Sequence, residues 1–459
     1  MIHLDTKSLT IMARRSCRHS FIYFPAIPFL AHDLNVSIEI NFSVTAYLIA
    51  SGVFPSINGS AAGRYGRRPV FIATLAMYVA VNVGLALQRS LAALISLRML
   101  QSAAISGSFA FAYGVLGINL NTPPSVAPMI SGLLLIKWNW SSIFWFLSIF
   151  SCAVLLAVLF LLPETCRAIV GNGSTRPPRI VNRAILPILR PPWSEVVTTT
   201  GLASPDSSKD KTRKPKATAN PLTGLSLLKH HGTLLSIICY AIYYTVYSCL
   251  QASLSTIFVE KYHVTGLVSG LIYIPFGVSC VIACSLTDKL LDHDYRRTAK
   301  ALGVTVDQRR GDDLAEFPIE YARLRTCKWI TAVCGPLIVG YGWALQGRAS
   351  MAVPLVLQFL IGFTNQVNFT SLNALLVDYH SDQSSTIQAV NNLFRCELAA
   401  GELAMLDVIL RKLGPGRTFV IFAALHMATL PGLWVLERYG LGWRKAEREK
   451  KKNEEKEQG

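Results

Sequence analysis

Acidic side chains are scarce in this chain: 27 Asp and Glu stand against 44 Lys and Arg in 459 residues, a net charge of +17. Charged residues of both signs reach only 15%, where a soluble globular chain carries about a quarter. That shortage excludes an ordinary water-soluble domain, and an AVILMFWYC content of 51% makes lipid the solvent for most of the chain. The basic excess is not the footprint of a nucleic-acid binder. Lys and Arg fall in the gaps between apolar runs instead of interleaving with exposed aromatics, which is the placement of the positive-inside rule.

Other absences narrow the chemistry. The ten cysteines lie mostly in apolar segments, among them Cys152, Cys239, Cys249, Cys280, Cys284, Cys334 and Cys396, with no paired CxxC clusters or His ligands beside these, so they read as neither a disulfide framework nor a zinc site. GxxxxGK[ST], HExxH and GxSxG are all missing, and His230 and His231 sit in a basic approach to an apolar run. An ATP-driven pump is therefore disfavoured, no enzyme constellation is seen, and no metal or cofactor is expected. The stretch from Met1 to Ser20 has scattered charges and no apolar core of a signal peptide.

What is present is a series of apolar runs near the ~20 residues that cross a bilayer. They lie near 42–61, 69–88, 91–117, 142–162, 233–258, 266–287, 327–346, 351–377, 386–410 and 417–436. Two marginal pieces, 19–32 and 120–137, complete an all-α polytopic membrane protein of nominally twelve spans, the first and fifth shortened. The expected organisation is a cytoplasmic N-terminus (1–18), a six-helix half (19–162), a basic cytoplasmic linker (163–232), a second six-helix half (233–436) and a charged cytoplasmic tail (437–459). Asn35-Val36-Ser37 is a glycosylation sequon in an expected outer loop.

Several phrases resemble a known family. From Gly59, GSAAGRYGRRPVFI resembles the G-x-x-x-D-R-x-G-R-R loop between spans two and three of the major facilitator superfamily, carried here by Gly59, Arg64, Gly66, Arg67 and Arg68, with Gly63 at the acid position. ISLRMLQSA resembles the span-four pattern R-x-x-Q-G through Arg98 and Gln101. NTPPSVAPMISGLL resembles the span-five antiporter motif, with Pro128 and Gly132 matching, Pro123, Ala127 and Ser131 replacing glycines, and Pro124 adding to an expected bend. LPETCRAIVGNGS, DKLLDHDYRRTAKALG, FPIEYARLR and NNLFRC are similar to fungal twelve-span drug:proton antiporters, a subgroup that includes quinidine-resistance-type and citrate exporters.

The resemblance implies proton-coupled export of small molecules by alternating access between two six-helix halves. The substrates would be drug-like compounds, polyamines or organic acids such as citrate. It further implies a monomer in the lipid bilayer, at the plasma membrane or an internal one, with no nucleic-acid partner. The missing acid at Gly63 implies loss of the usual loop latch. The loop usual between spans four and five and the apolar lead-in to span one are also missing, as a truncated or misspliced reading frame or a decayed paralogue would leave them. A transport-inactive or sensor-like remnant is the alternative reading.

Ionisable groups inside spans cost of order 2.5–3.5 kcal/mol and are functional candidates by default. Arg98 is expected in the central cavity and in proton coupling, with Gln101; the competing reading is snorkelling to the nearby surface. In the run VNNLFRCELAAGELAML, Asn391, Arg395, Leu398 and Glu402 share a helical face. Arg395 matches the family phrase, while Glu397 and Glu402 stand where relatives carry small or apolar residues. Tyr240, Tyr243, Tyr244 and Tyr247 form a stripe suited to stacking on amphipathic or cationic compounds, or to interhelical packing. Asn365 and Asn368 offer hydrogen bonds to a polar substrate or between helices. Tyr23 is a further cavity candidate, and Asp288 occupies the second-half counterpart of the loop signature.

Overall fold

The computed structural model describes residues 17–34, 36, 39–116, 126–161, 164, 223–264, 266–303, 317–380 and 383–458. A 3-10 run, Cys17–Ala26, leads into α1 (Ile27–Asp33), followed by α2 (Asn41–Tyr65), α3 (Arg67–Leu87), α4 (Leu91–Leu116), α5 (Val126–Lys137) and α6 (Ser141–Leu161). A second 3-10 run, Thr223–Lys229, precedes α7 (His231–Tyr262), α8 (Gly266–Leu271), α9 (Ile274–Ala301), α10 (Ile319–Gln346), α11 (Ala352–Tyr379), α12 (Ser384–Met427) and α13 (Thr429–Gln458). In hydrocarbon a helix is the form that satisfies its own backbone groups without water. The 21 residues of α3 rise ~30 Å, enough to cross.

Six stretches combine the length and apolarity of a crossing: Arg67–Leu87, Ser141–Phe160, His231–Tyr262, Val268–Ala301, Ala352–Tyr379 and Thr386–Glu447. The last contains two. At Gly414 the backbone leaves helical geometry at φ 75, a left-handed value open to glycine, and a second helix begins at Pro415. The spans read near 386–410 and 417–436 are thus joined by a single glycine break. With α8 and α9 counted as one crossing, and the part of α12 after Gly414 counted with α13 as another, the described helices fit twelve passages, and large apolar side chains such as Trp329 (75% exposed) and Ile149 (69%) face outward as lipid contact requires.

The first and fifth spans are short as expected: α1 has 7 residues and α5 has 12. Two helices run on past the expected spans. α9 continues to Ala301, well beyond 287, and α13 runs to Gln458, so the charged tail is helical. Lys, Arg and Glu, common in both extensions, are good helix formers in water. Pro123, Pro124, the four–five junction, Asn35 with its sequon, the N-terminus before Cys17 and the linker, apart from Glu164 and the run after Pro221, lie outside the described residues.

Within the first half α2 packs on α4 and α3 on α4 and α6; within the second α7 packs on α12, and α11 on α9 and α10. The halves meet along α2–α12 and α5–α8. At the second seam a Cβ on Gly270 would lie 2.7 Å from the Gly132 Cα and 2.7 Å from the Pro128 carbonyl oxygen. Two backbones touch there because neither carries a side chain.

Candidate functional site

Arg98 sits two turns into α4 yet does not snorkel: it is 2% exposed. Its guanidinium lies between two rings, 4.1 Å from the Tyr23 centroid and 4.4 Å from that of Tyr47. The planar cation is held as cation–π geometry prefers. Tyr23 comes from the 3-10 run, Tyr47 from α2, so three elements converge on one charge. Ser43 gives its hydroxyl proton to the Ile40 carbonyl at 2.7 Å, leaving Tyr23 to donate to Ser43 at 2.8 Å.

A one-way hydrogen-bond chain fixes the guanidinium from below. Arg98 Nη1 donates to Gln101 Oε1 at 2.5 Å, Gln101 Nε2 to Asn82 Oδ1 at 2.7 Å, and Asn82 Nδ2 to the Tyr78 carbonyl at 2.7 Å. Gln101 thus acts as a positioning residue. Among the described residues no carboxylate pairs with Arg98, whose electrostatic partners are Tyr23, Tyr47 and Tyr78. Its Nε and the Ser102 hydroxyl, one helical turn on, are both buried without a hydrogen-bond partner. Buried donors without acceptors are costly, so both atoms favour an acceptor-rich neighbour. Tyr47 and Asn82 escaped sequence reading because the spacing within α4 does not reveal what other helices bring to it; Ser102 shares the Arg98 face at i+4 and was legible from that spacing.

On the other half, Arg395 donates through Nε and Nη2 to Asn392 Oδ1 at 3.0 and 2.7 Å and lies 4.7 Å from the Tyr244 ring. The tyrosine stripe divides. Tyr243 turns inward, its hydroxyl bonded to Thr331 at 2.9 Å and Thr429 at 2.8 Å, and packs on His426 at 4.6 Å. Tyr240, Tyr244 and Tyr247 gather round Phe369 at 5.0, 6.3 and 5.9 Å. Of the shared face expected on α12, Asn391 is buried with an unpartnered Oδ1, Leu398 is exposed and Glu402 half-buried.

The amides of α11 serve two ends. Asn368 accepts from Cys327 of α10 at 3.2 Å and Asn373 from Gln388 of α12 at 2.6 Å, which is interhelical bonding. Asn365 keeps a buried, unpartnered Oδ1 and lines a cavity of ≈ 10 Å³ with His426, both of whose ring nitrogens lack partners. That volume matches one water molecule, and polar atoms on its wall favour filling it. The signal for His426 was a lone histidine in the last apolar run.

The signature loop is latched from an unexpected place. Gly66 carries φ 105 and joins α2 to α3 without an intervening residue. A Cβ at Gly63 would meet nothing within 4 Å, and the carboxylate comes instead from Glu164, which follows α6. Its two oxygens accept from the Arg67 and Arg68 amides at 3.0 and 3.2 Å, and Arg68 Nη2 donates to the Leu159 carbonyl at 2.8 Å. Arg64 and Gly59 remain at the end of α2, where Arg64 lies 5.6 Å from the Tyr65 ring. Asp288 is exposed in α9; the buried acid there is Asp294, bonded to Thr326 of α10 at 2.5 Å.

The Major Facilitator Superfamily sequence profile matches residues 19–401. The chain is 34% identical to MFS-type transporter tstD of Talaromyces stipitatus over 95% of its length and 82% of that protein. It is 33% identical to Citrate exporter 1 of Aspergillus niger over 93% of its length and 84% of that protein. Among solved structures, that of the human organic anion transporter MFSD10 (TETRAN) superposes with a TM-score of 0.57 at 15% identity, over 93% of this chain and 98% of the other. Two sets of apolar helices, a small-residue seam and a buried polar centre agree with these matches: the chain belongs to the major facilitator superfamily, as a multi-pass membrane transporter of small molecules and not an enzyme.

Proposed function

We propose that this transporter is a proton-driven exporter of small organic anions, with Arg98 as the group that holds the anion. The observation that carries the reading is the guanidinium buried between Tyr23 and Tyr47 without a carboxylate among the described residues. Leaving a charge unpaired in a low-dielectric interior costs several kcal/mol, and an incoming carboxylate on the Nε side, assisted by Ser102, recovers much of it. The relation to a citrate exporter supports a carboxylate as substrate.

The two halves rock about the α2–α12 and α5–α8 seams, exposing the cavity in turn to each side. The basic signature loop and the linker at 163–232 face the cytoplasm in this reading, with 19–162 and 233–436 as the two rocking halves. The Tyr240, Tyr244, Tyr247 and Phe369 rings favour a second reading, in which amphipathic compounds bind in the second half.

Expression in a yeast lacking its own exporters, with efflux and tolerance measured for weak acids, polyamines and drugs, tests both. Citrate or another carboxylate should be exported by the wild type and not by Arg98→Ala. Export confined to cationic compounds would replace the anion reading by the second; surface-expressed protein that moves no compound leaves the inactive remnant.

A further inference from the structure

We propose that the proton driving this transporter is carried by Glu397, held on α12 against Gly52 of α2 at the seam between the halves. The inference rests on proton-driven transport as read above. Glu397 is half-buried, and its Oε1 is fully buried without a hydrogen-bond donor. That oxygen occupies the notch left by a missing side chain: a Cβ on Gly52 would lie 2.7 Å from it. One turn away the same seam is pinned by Asn392 Nδ2 donating to the Ser51 carbonyl at 2.6 Å. The carboxyl is therefore fixed against the opposite half.

The surroundings offer it no counter-charge. From α2 the nearby titratable group is Tyr47, stacked on Arg98 of α4; from α7 come Tyr244, which receives Arg395, and Cys249, which faces Glu402. On α12 itself stand Arg395, which reaches for Asn392, with Cys396 and Glu402. Among the described residues no cation lies within ion-pair reach of Glu397, and α2 presents no amide donor to it, since its amides are spent within the helix. Packed like this, the neutral acid is the tolerable form, because a carboxylate with one oxygen buried and without a donor is expensive.

When α2 parts from α12, water reaches the carboxyl and the ionised form becomes affordable. The proton then passes from Glu397 to water, and the seam closes again only after the carboxylate has taken a proton from water on the other side. Opening of the seam and loss of the proton are thus one linked equilibrium, which is how a proton gradient biases two conformations. The acid lies apart from the Arg98 pocket, so anion and proton occupy different sites.

Infrared difference spectra of the protein in lipid vesicles, between about pH 8 and about pH 5, read the proton directly. A protonated-carboxyl band present in the wild type should vanish in Glu397→Gln and persist in Glu402→Gln. Gly52→Ala, whose new methyl presses on the carboxyl, should shift it. In the same vesicles, citrate accumulation driven by a pH gradient should fall at least about tenfold in Glu397→Gln, while citrate exchange without a gradient continues. Retention of the band, or of gradient-driven accumulation, in Glu397→Gln overturns the assignment. If the wild type moves no citrate but the band behaves as described, the anion reading fails and the proton site stands. Elution of Glu397→Gln as wild type on size exclusion separates a lost proton site from a misfolded chain.

Discussion

Glu164 caps the amino end of α3 from 96 residues away, its carboxylate accepting the backbone N–H of Arg68 at 3.2 Å as well as that of Arg67. The position that carries the loop acid in relatives is Gly63, open on all sides. One carboxylate at a helix N-terminus, bonded to two amides, does locally what a side-chain cap and a favourable dipole charge do together. Glu164→Ala should therefore lower stability by about 1–2 kcal/mol, and Glu164→Gln by less. The melting temperature of the detergent-solubilised protein reads both; equal melting of all three forms would remove the cap.

Gly66 stands between two helices at φ 105, ψ 153, a region almost closed to residues with a Cβ. Gly66→Ala is expected to cost about 1–3 kcal/mol, or to force α2 and α3 apart and free the Glu164 contact. Combining it with Glu164→Ala tests which. Effects that add assign the cost to strain alone, while a double variant no worse than Gly66→Ala assigns it to the lost cap.

Arg98→Lys keeps the charge and loses the flat ion that fits between Tyr23 and Tyr47 and reaches Gln101. Carboxylate transport should fall by about tenfold or more, and by more in Arg98→Ala. Ser102→Ala should raise KM with little change in the maximal rate, because its hydroxyl only supplements the guanidinium. Transport kinetics in vesicles check the split, and an unchanged Arg98→Lys would mean that charge alone suffices.

At the α5–α8 seam, Gly270→Ala places a methyl 2.7 Å from the Gly132 Cα. No rotamer relieves a clash with backbone, so the halves must separate locally at a cost of about 1–3 kcal/mol. Transport and melting temperature should both drop. A substitution at Gly442, where a Cβ meets nothing within 4 Å, should change neither.

Arg444 bridges from α13 to the Glu320 carboxylate at 3.0 Å and to the Phe317 carbonyl at 2.8 Å. Glu320 is 1% exposed, so Arg444→Ala leaves a buried acid uncompensated and should destabilise by about 3–5 kcal/mol. Arg444→Ala with Glu320→Gln should recover part of that loss. Proteolysis of the tail beyond Trp443 is the readout, since α13 is tied to the bundle here.

The crossing helices were legible because lipid imposes one requirement on every span, apolar length, and α3, α6, α7 and α11 meet it in the open. The ends of α9 and α13 were not, because hydropathy stops at the membrane surface while helix propensity does not. Arg98 and Gln101 could be picked from their own spacing. Their cage was only partly legible: Tyr23 was a cavity candidate, but Tyr47 and Asn82 arrive from two other helices, and only the register of α2 and α3 against α4 brings them within reach. Glu164 was hidden for the same reason, and so was the notch at Gly52 that receives Glu397. Asp288 matched a pattern by position, whereas burial selects Asp294, less than two turns further along the same helix.

In the anion-exporter reading, the guanidinium held between two tyrosines also sets how membrane voltage acts on the cycle. Without a carboxylate beside it among the described residues, the centre carries a positive charge when vacant and none when a monocarboxylate is seated. Water access to that point switches from one side of the bilayer to the other as the halves rock, so the vacant step moves charge through the field, at ~2.3 kcal/mol per elementary charge for each 100 mV. The return of the empty carrier then becomes the voltage-sensitive half of the turnover. The charge of the cargo sets the polarity of the current.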